Sequence, residues 1–66
     1  MKILCNGEER AIEPGTTVAG LVTGLGLNLE TVVVEVNRKI LQRPEYETTG
    51  LAEGDAVELI RFIGGG

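Results

Sequence analysis

Only one stretch of this chain repeats its apolar residues at helical spacing. Val18, Leu21, Val22 and Leu25 fall at i, i+3, i+4 and i+7, one stripe on one helix face. The other apolar residues sit in short alternating or β-branched runs, the signature of strands. A single helix covers one face of one sheet, so the pattern predicts a two-layer α+β domain. We expect a mixed sheet of four to five strands with one main helix packed on one face. A chain of 66 residues has room for one such domain.

The strands follow from turn chemistry. Residues 1–6 alternate, with Met1, Ile3 and Cys5 on one side, and Asn6-Gly7 is a strong hairpin signal because both residues tolerate positive φ. Residues 8–12 should pair back antiparallel until Pro14-Gly15 breaks the strand. Thr16 or Thr17 can cap the helix at Val18, and Gly26 fits the position just past its end. Gly20 and Gly24 lie inside the helix and cost about 1 kcal/mol each relative to alanine, so packing must hold it. Residues 31–36 form the most strongly β-branched run, with Val32, Val34 and Val36 pointing one way. Asn37-Arg38-Lys39 should turn into a short strand at Ile40-Leu41. Residues 42–49 read as irregular, with Pro44 excluding a central strand and Tyr46 the one large ring available to cover that side. After the polar turn Glu53-Gly54-Asp55 comes the last strand, Val57 to Phe62. This order of hairpin, helix and three strands is that of a β-grasp, with the first and last strands neighbours at the centre.

Composition removes several kinds of chemistry. There is no histidine and only one cysteine, so catalytic triads, disulfide frameworks and cysteine-based zinc clusters are excluded. The acidic residues form no spaced pair that reads as a general acid and base. No catalytic residue and no metal ligand is expected. A net charge of −4 disfavours nucleic acid and anionic membrane surfaces. No apolar run is long enough to span a bilayer, and the reading is of a cytoplasmic protein. Cys5 invites a sulfur-transfer role, but its strand position places it with Ile3 in the core, where a thiol without a basic neighbour is a poor nucleophile.

Two features remain that could serve a partner. Gly64-Gly65-Gly66 has no side chain to pack, so the expectation is a domain over residues 1–63 and a flexible tail over 64–66. Gly64 and Gly65 would thread a narrow channel and present the carboxylate of Gly66. In the last strand Val57 and Leu59 should face the helix. Ile60 and Phe62 then face the open side, where Leu4 can join them as a docking patch. A frayed terminus and scattered surface apolar groups are the plain alternatives.

Met1 to Gly7, Thr17-Val18-Ala19, Val36-Asn37, Glu53-Gly54-Asp55 and Arg61-Phe62-Ile63-Gly64-Gly65-Gly66 together resemble the ThiS family, the ubiquitin-like sulfur carriers of thiamine thiazole biosynthesis. The resemblance spans essentially the whole chain. It departs at Gln42, where family members often have proline, and at Gly20 and Gly24, more often helix formers. It implies a protein substrate and not an enzyme. A ThiF-like adenylyltransferase would use ATP and Mg²⁺ to adenylate Gly66. A persulfide sulfur donor would then convert it to a thiocarboxylate, and a ThiG-like thiazole synthase would accept the sulfur. The carrier itself would bind no cofactor. A carrier of the same fold serving molybdopterin synthase or another acceptor, and a non-catalytic β-grasp binding module, are the alternatives.

Overall fold

The computed structural model describes residues 1–61. Strands β1 (Lys2–Cys5) and β2 (Glu8–Ala11) form a hairpin, followed by helix α1 (Val18–Gly24). Strands β3 (Val32–Val36) and β4 (Lys39–Ile40) form a second hairpin. A 3-10 helix, Arg43–Glu47, then leads round to β5 (Ala56–Arg61). The sheet order is β2-β1-β5-β3-β4, with β1 and β5 parallel at the centre and the other neighbours antiparallel. This is the expected α+β β-grasp, a mixed five-stranded sheet under one α-helix.

Both hairpins turn on two residues with positive φ. Asn6 (φ 51) and Gly7 (φ 82) join β1 to β2, and Asn37 (φ 51) and Arg38 (φ 72) join β3 to β4. Two such residues make the turn whose twist matches that of the strands. The second turn is thus one residue shorter than the sequence implied, and β4 begins at Lys39 instead of Ile40. Tight pairing of Val36 with Lys39 sets that register.

Thr17 caps α1, its Oγ1 accepting from the Gly20 amide at 3.1 Å. At the other end Gly26 takes φ +77, its amide donating to Thr23 O (2.9 Å) while the Leu27 amide donates to Val22 O (3.1 Å). These two bonds satisfy carbonyls that the last turn would otherwise leave unpaired. The helix face is Val18, Leu21 and Val22, packed on Ile3, Val32, Val34, Val57 and Leu59.

Two expected core residues are only half-buried, Cys5 and Leu25. Seven helical residues reach about 10 Å, whereas the six residues of β5 reach about 20 Å. The sheet therefore outruns the helix, and Cys5 and Leu25 sit at the rim where cover ends. Conversely, residues 42–49 are not irregular throughout, since Arg43–Glu47 form a 3-10 helix. The 3-10 helix there buries Tyr46 to 3% exposure, and the Tyr46 hydroxyl donates to Val32 O at 2.9 Å. Leu41 and Leu51 close the core on either side of it.

Candidate functional site

Strand β5 is held on both sides. On one side, β3 pairs with it from Val36↔Val57 to Val32↔Arg61. On the other, β1 pairs only at Leu4↔Ala56 and Cys5↔Val57, then turns away. Asn6 takes over there: its backbone amide donates to Val57 O (2.9 Å) and its side-chain Oδ1 accepts from the Leu59 amide (2.8 Å). At the start of β5, Asn37 Oδ1 accepts from the Ala56 amide (3.0 Å), and Asn37 Nδ2 donates to Asp55 Oδ1 (3.0 Å). The other Asp55 oxygen accepts from the Ala52 amide at 2.8 Å. Glu53 Oε1 accepts from the Lys2 amide at 2.9 Å, and Gly54 between them adopts φ +84. Of the residues that carried much of the resemblance, Asn6 and Asn37 bond β5 directly, Asp55 braces Asn37, and Glu53 and Gly54 tie the turn before β5 to Lys2 of β1. Sequence reading noted the two asparagines without seeing that they meet on one strand, because their side-chain bonds to β5 close across 19 and 53 positions of sequence.

The side-chain register is as expected. Val57 (1% exposed) and Leu59 (9%) face the helix, and Ile60 (49%) faces the open side with Leu4 (42%). Leu4 lies beside Ala56, four residues before Ile60, so the two share a face but stand about 13 Å apart along the strand direction. Ile60 is directly opposite Val33 on β3. Ile40, 60% exposed and opposite Glu35, extends the same face, and the sequence reading missed it. Its signal was hidden by the one-residue shift of the β3–β4 turn, which decides the side that Ile40 faces. The expected docking residue Phe62, the threading residues Gly64 and Gly65, and the modified residue Gly66 lie outside the described residues, as does the proposed boundary between domain and tail.

Cys5 lines a rim cleft of about 350 Å³ with Arg10, Leu27, Leu59 and Arg61. Partial burial pushes its thiol up from the ordinary value, Arg10 draws it part of the way back, and Glu58 and Glu8 push it up again. A basic neighbour is therefore present, contrary to the sequence reading, yet desolvation outweighs it and the neutral thiol is favoured. Among the described residues no group of three or more cysteine and carboxylate side chains is placed to hold a metal ion. No helix among them is long and apolar enough to cross a membrane.

Comparison with known proteins places this architecture in a family. The family model described as "ThiS family" matches residues 3–66. A protein of Magnetococcus marinus named thiazole synthase is 47% identical over 66 residues, covering all of this chain and 20% of its own. A thiazole synthase of Paramagnetospirillum magneticum is 39% identical over the same length and share. The chain therefore spans about a fifth of the length of these two relatives. The sulfur carrier protein ThiS of Bacillus subtilis is 32% identical over 50 residues, 76% of each chain. Among solved structures, the crystal structure of the thiamine biosynthesis protein ThiS from Geobacter metallireducens superposes with a TM-score of 0.85 at 33% identity, covering 100% of both chains. With the family model matched from residue 3 onward and the whole sheet-and-helix frame shared with that structure, the chain belongs to the ThiS family of sulfur carrier proteins.

Proposed function

We propose that this protein carries sulfur for the thiazole ring of thiamine, as a thiocarboxylate on Gly66. The observation that carries the reading is the family match extending through residue 66, which takes in the glycine segment together with the fold. A free carboxylate is a poor electrophile, being anionic and lacking a leaving group. A ThiF-like adenylyltransferase with ATP and Mg²⁺ would join AMP to it, releasing pyrophosphate. The terminal sulfur of a persulfide donor then attacks the acyl carbon and AMP leaves. A second thiol cleaves the S–S bond of the resulting acyl disulfide, forming a new disulfide and freeing the thiocarboxylate. Gly64 and Gly65, without Cβ atoms, let an active site close around the reacting carbonyl. Nucleotide and metal belong to the partner enzyme, and no residue of the carrier acts as acid, base or nucleophile.

The role of β5 in this reading is mechanical. Pinned by Asn6 on one side and by Asn37 and β3 on the other, it is a fixed base from which the chain continues toward residue 66. Leu4 of β1 and Ile60 of β5 on the open face of the sheet, with Phe62 beyond, would meet the partner. The two thiazole synthases of which this sequence matches a fifth support a ThiG-like thiazole synthase as the sulfur acceptor over a molybdopterin-type enzyme.

The test is intact mass after incubation with a ThiF-class adenylyltransferase, ATP, Mg²⁺ and sulfide, which displaces AMP directly. We expect the gain that replaces one oxygen by sulfur, located by fragmentation at Gly66. A protein that binds the enzyme but never gains this mass would leave only the binding-module reading.

A further inference from the structure

We propose that the open sheet face docks on its partner through a basic side chain of that partner seated between Glu35 and Glu58, within an apolar frame of Leu4, Val33, Ile40 and Ile60. The inference rests on the carrier reading above for the partner's identity, the adenylating enzyme, and on the sheet register for its chemistry.

Glu35 and Glu58 are direct cross-strand partners at the middle of the β3–β5 ladder. Both project to the face that α1 leaves uncovered, since Val34, Val57 and Leu59 beside them are buried on the other. Directly opposed side chains on one face have Cβ atoms about 5 Å apart, and like charges there are destabilising. A sheet can relieve such a pair with a neighbouring cation. Here the alternation of the strands puts the cations elsewhere. Arg10 is opposite Ile3, Lys39 opposite Val36 and Arg61 opposite Val32, all on the helix side of the sheet. Lys2 is the one strand cation on the open face, and it stands 3.9 Å from Glu9, the sole ion pair among the described residues.

The open face therefore holds three strand carboxylates, Glu9, Glu35 and Glu58, against one ammonium. Its two central carboxylates form no ion pair among the described residues. Ile60 and Val33 flank the pair on one side, Ile40 adjoins Glu35, and Leu4 with Ala56 lies on the other side. Exposed apolar groups around an unrelieved acidic pair fit a protein surface whose apolar ring encloses one arginine or lysine. An arginine fork has donors enough to serve both carboxylates at once. An anionic membrane would be repelled. A second copy of the same face would bring two such pairs together, which makes self-association through it unfavourable.

The test uses the full chain, the double variant Glu35→Gln/Glu58→Gln, and a ThiF-class adenylyltransferase. Melting temperature, self-association and Kd are measured across a salt series. The variant should melt higher than wild type because the repulsion is gone, yet bind the enzyme about tenfold more weakly at low salt. Its log Kd should also depend less steeply on log salt. A purely structural role would move stability and binding together, so this opposition of sign is the diagnostic result. Wild type that binds while the variant keeps the same Kd and salt slope overturns the docking surface alone. Wild type that neither binds nor is adenylated removes the carrier reading, and this surface with it. Wild-type self-association altered by the variant would assign the face to a second copy and overturn the proposal.

Discussion

Asn6 Oδ1 accepts a hydrogen bond from the backbone amide of Leu59 at 2.8 Å, across 53 positions of sequence. The same residue adopts φ 51 to turn the β1–β2 hairpin. One asparagine thus ends β1 and stands in for its missing next residue along β5. Few side chains can do both, because the left-handed backbone and a short side-chain acceptor are needed together.

Asn6→Ala should destabilise the fold by about 1–3 kcal/mol, losing the acceptor and straining the turn. Asn6→Gly relieves the turn but not the amide, and Asn6→Asp keeps both. Urea titration should rank stability as wild type and Asp, then Gly, then Ala. Native-state hydrogen exchange at Leu59 should accelerate in the Gly and Ala variants only. Equal Leu59 protection in Asn6→Gly would mean that this bond does not secure β5.

The buried hydroxyl of Tyr46 offers a cleaner single-bond measurement. It donates to Val32 O at 2.9 Å, tying the 3-10 helix to the start of β3. Tyr46→Phe preserves the ring and should cost about 0.5–1.5 kcal/mol by chemical denaturation, the usual net worth of one such bond. A loss near that of Tyr46→Ala would indicate that the ring's packing had shifted as well.

Arg38 holds φ 72 with no glycine to ease it. The two-residue turn from Asn37 favours Asn-Gly, and a side chain in this region costs about 1–2 kcal/mol. Arg38→Gly should therefore raise the melting midpoint, despite the greater freedom that glycine gives the unfolded chain. A lower midpoint would show that the Arg38 side chain makes a stabilising contact that outweighs the strain.

These three residues also show what the sequence discloses and what it withholds. Periodicity located the helix and the alternation that buries Leu59 and exposes Ile60, and turn chemistry located the hairpin at Asn6, because each is a local property. The helix stripe alone sufficed to predict two layers. What escaped was set by long-range closure: the asparagine bonds to β5, the bond from the Tyr46 hydroxyl to Val32, and the half-exposure of Cys5 and Leu25 beyond the end of a short helix. The acidic pair on the open face is equally invisible until register makes Glu35 and Glu58 partners. The open-face positions of Leu4 and Ile60 were legible because alternation needs no partner strand. Ile40 was not, since one residue of turn length decided its side.

Cys5 gives a prediction with a sign in pH. Its thiol is raised by burial, with Arg10 offsetting part of the effect and Glu58 and Glu8 adding to it. The folded state thus holds the proton more tightly than the unfolded chain. The resulting contribution to stability is intact below the unfolded thiol's pKa and is lost as pH climbs from there through the folded value. Iodoacetamide at mildly alkaline pH should alkylate the native protein more slowly than the urea-unfolded chain. Cys5→Ala should still accept sulfur at the C-terminus, as read by intact mass. Loss of loading in that variant would give the thiol a part in sulfur handling.

The last prediction concerns the acyl group that the carrier reading assigns to Gly66. If the adenylating enzyme reads the position of that carboxylate, deleting Gly66 should abolish sulfur loading even though a glycine still ends the chain. The new carboxylate would fall one residue short, about 3.5 Å, and attack geometry does not tolerate such a displacement. Gly65→Val should also fail, for a different reason: a branched Cβ restricts the backbone and widens a chain that must pass between channel walls. Binding separates both causes from a docking defect. Both variants keep Leu4, Ile60, Glu35 and Glu58, so both should compete with wild type for the enzyme while gaining no sulfur by intact mass. Their melting temperatures should match wild type, which excludes unfolding as the cause. Normal thiocarboxylate formation on the Gly66-deleted protein would show that the terminal position is not read, and the acyl-carrier mechanism would then have to be replaced.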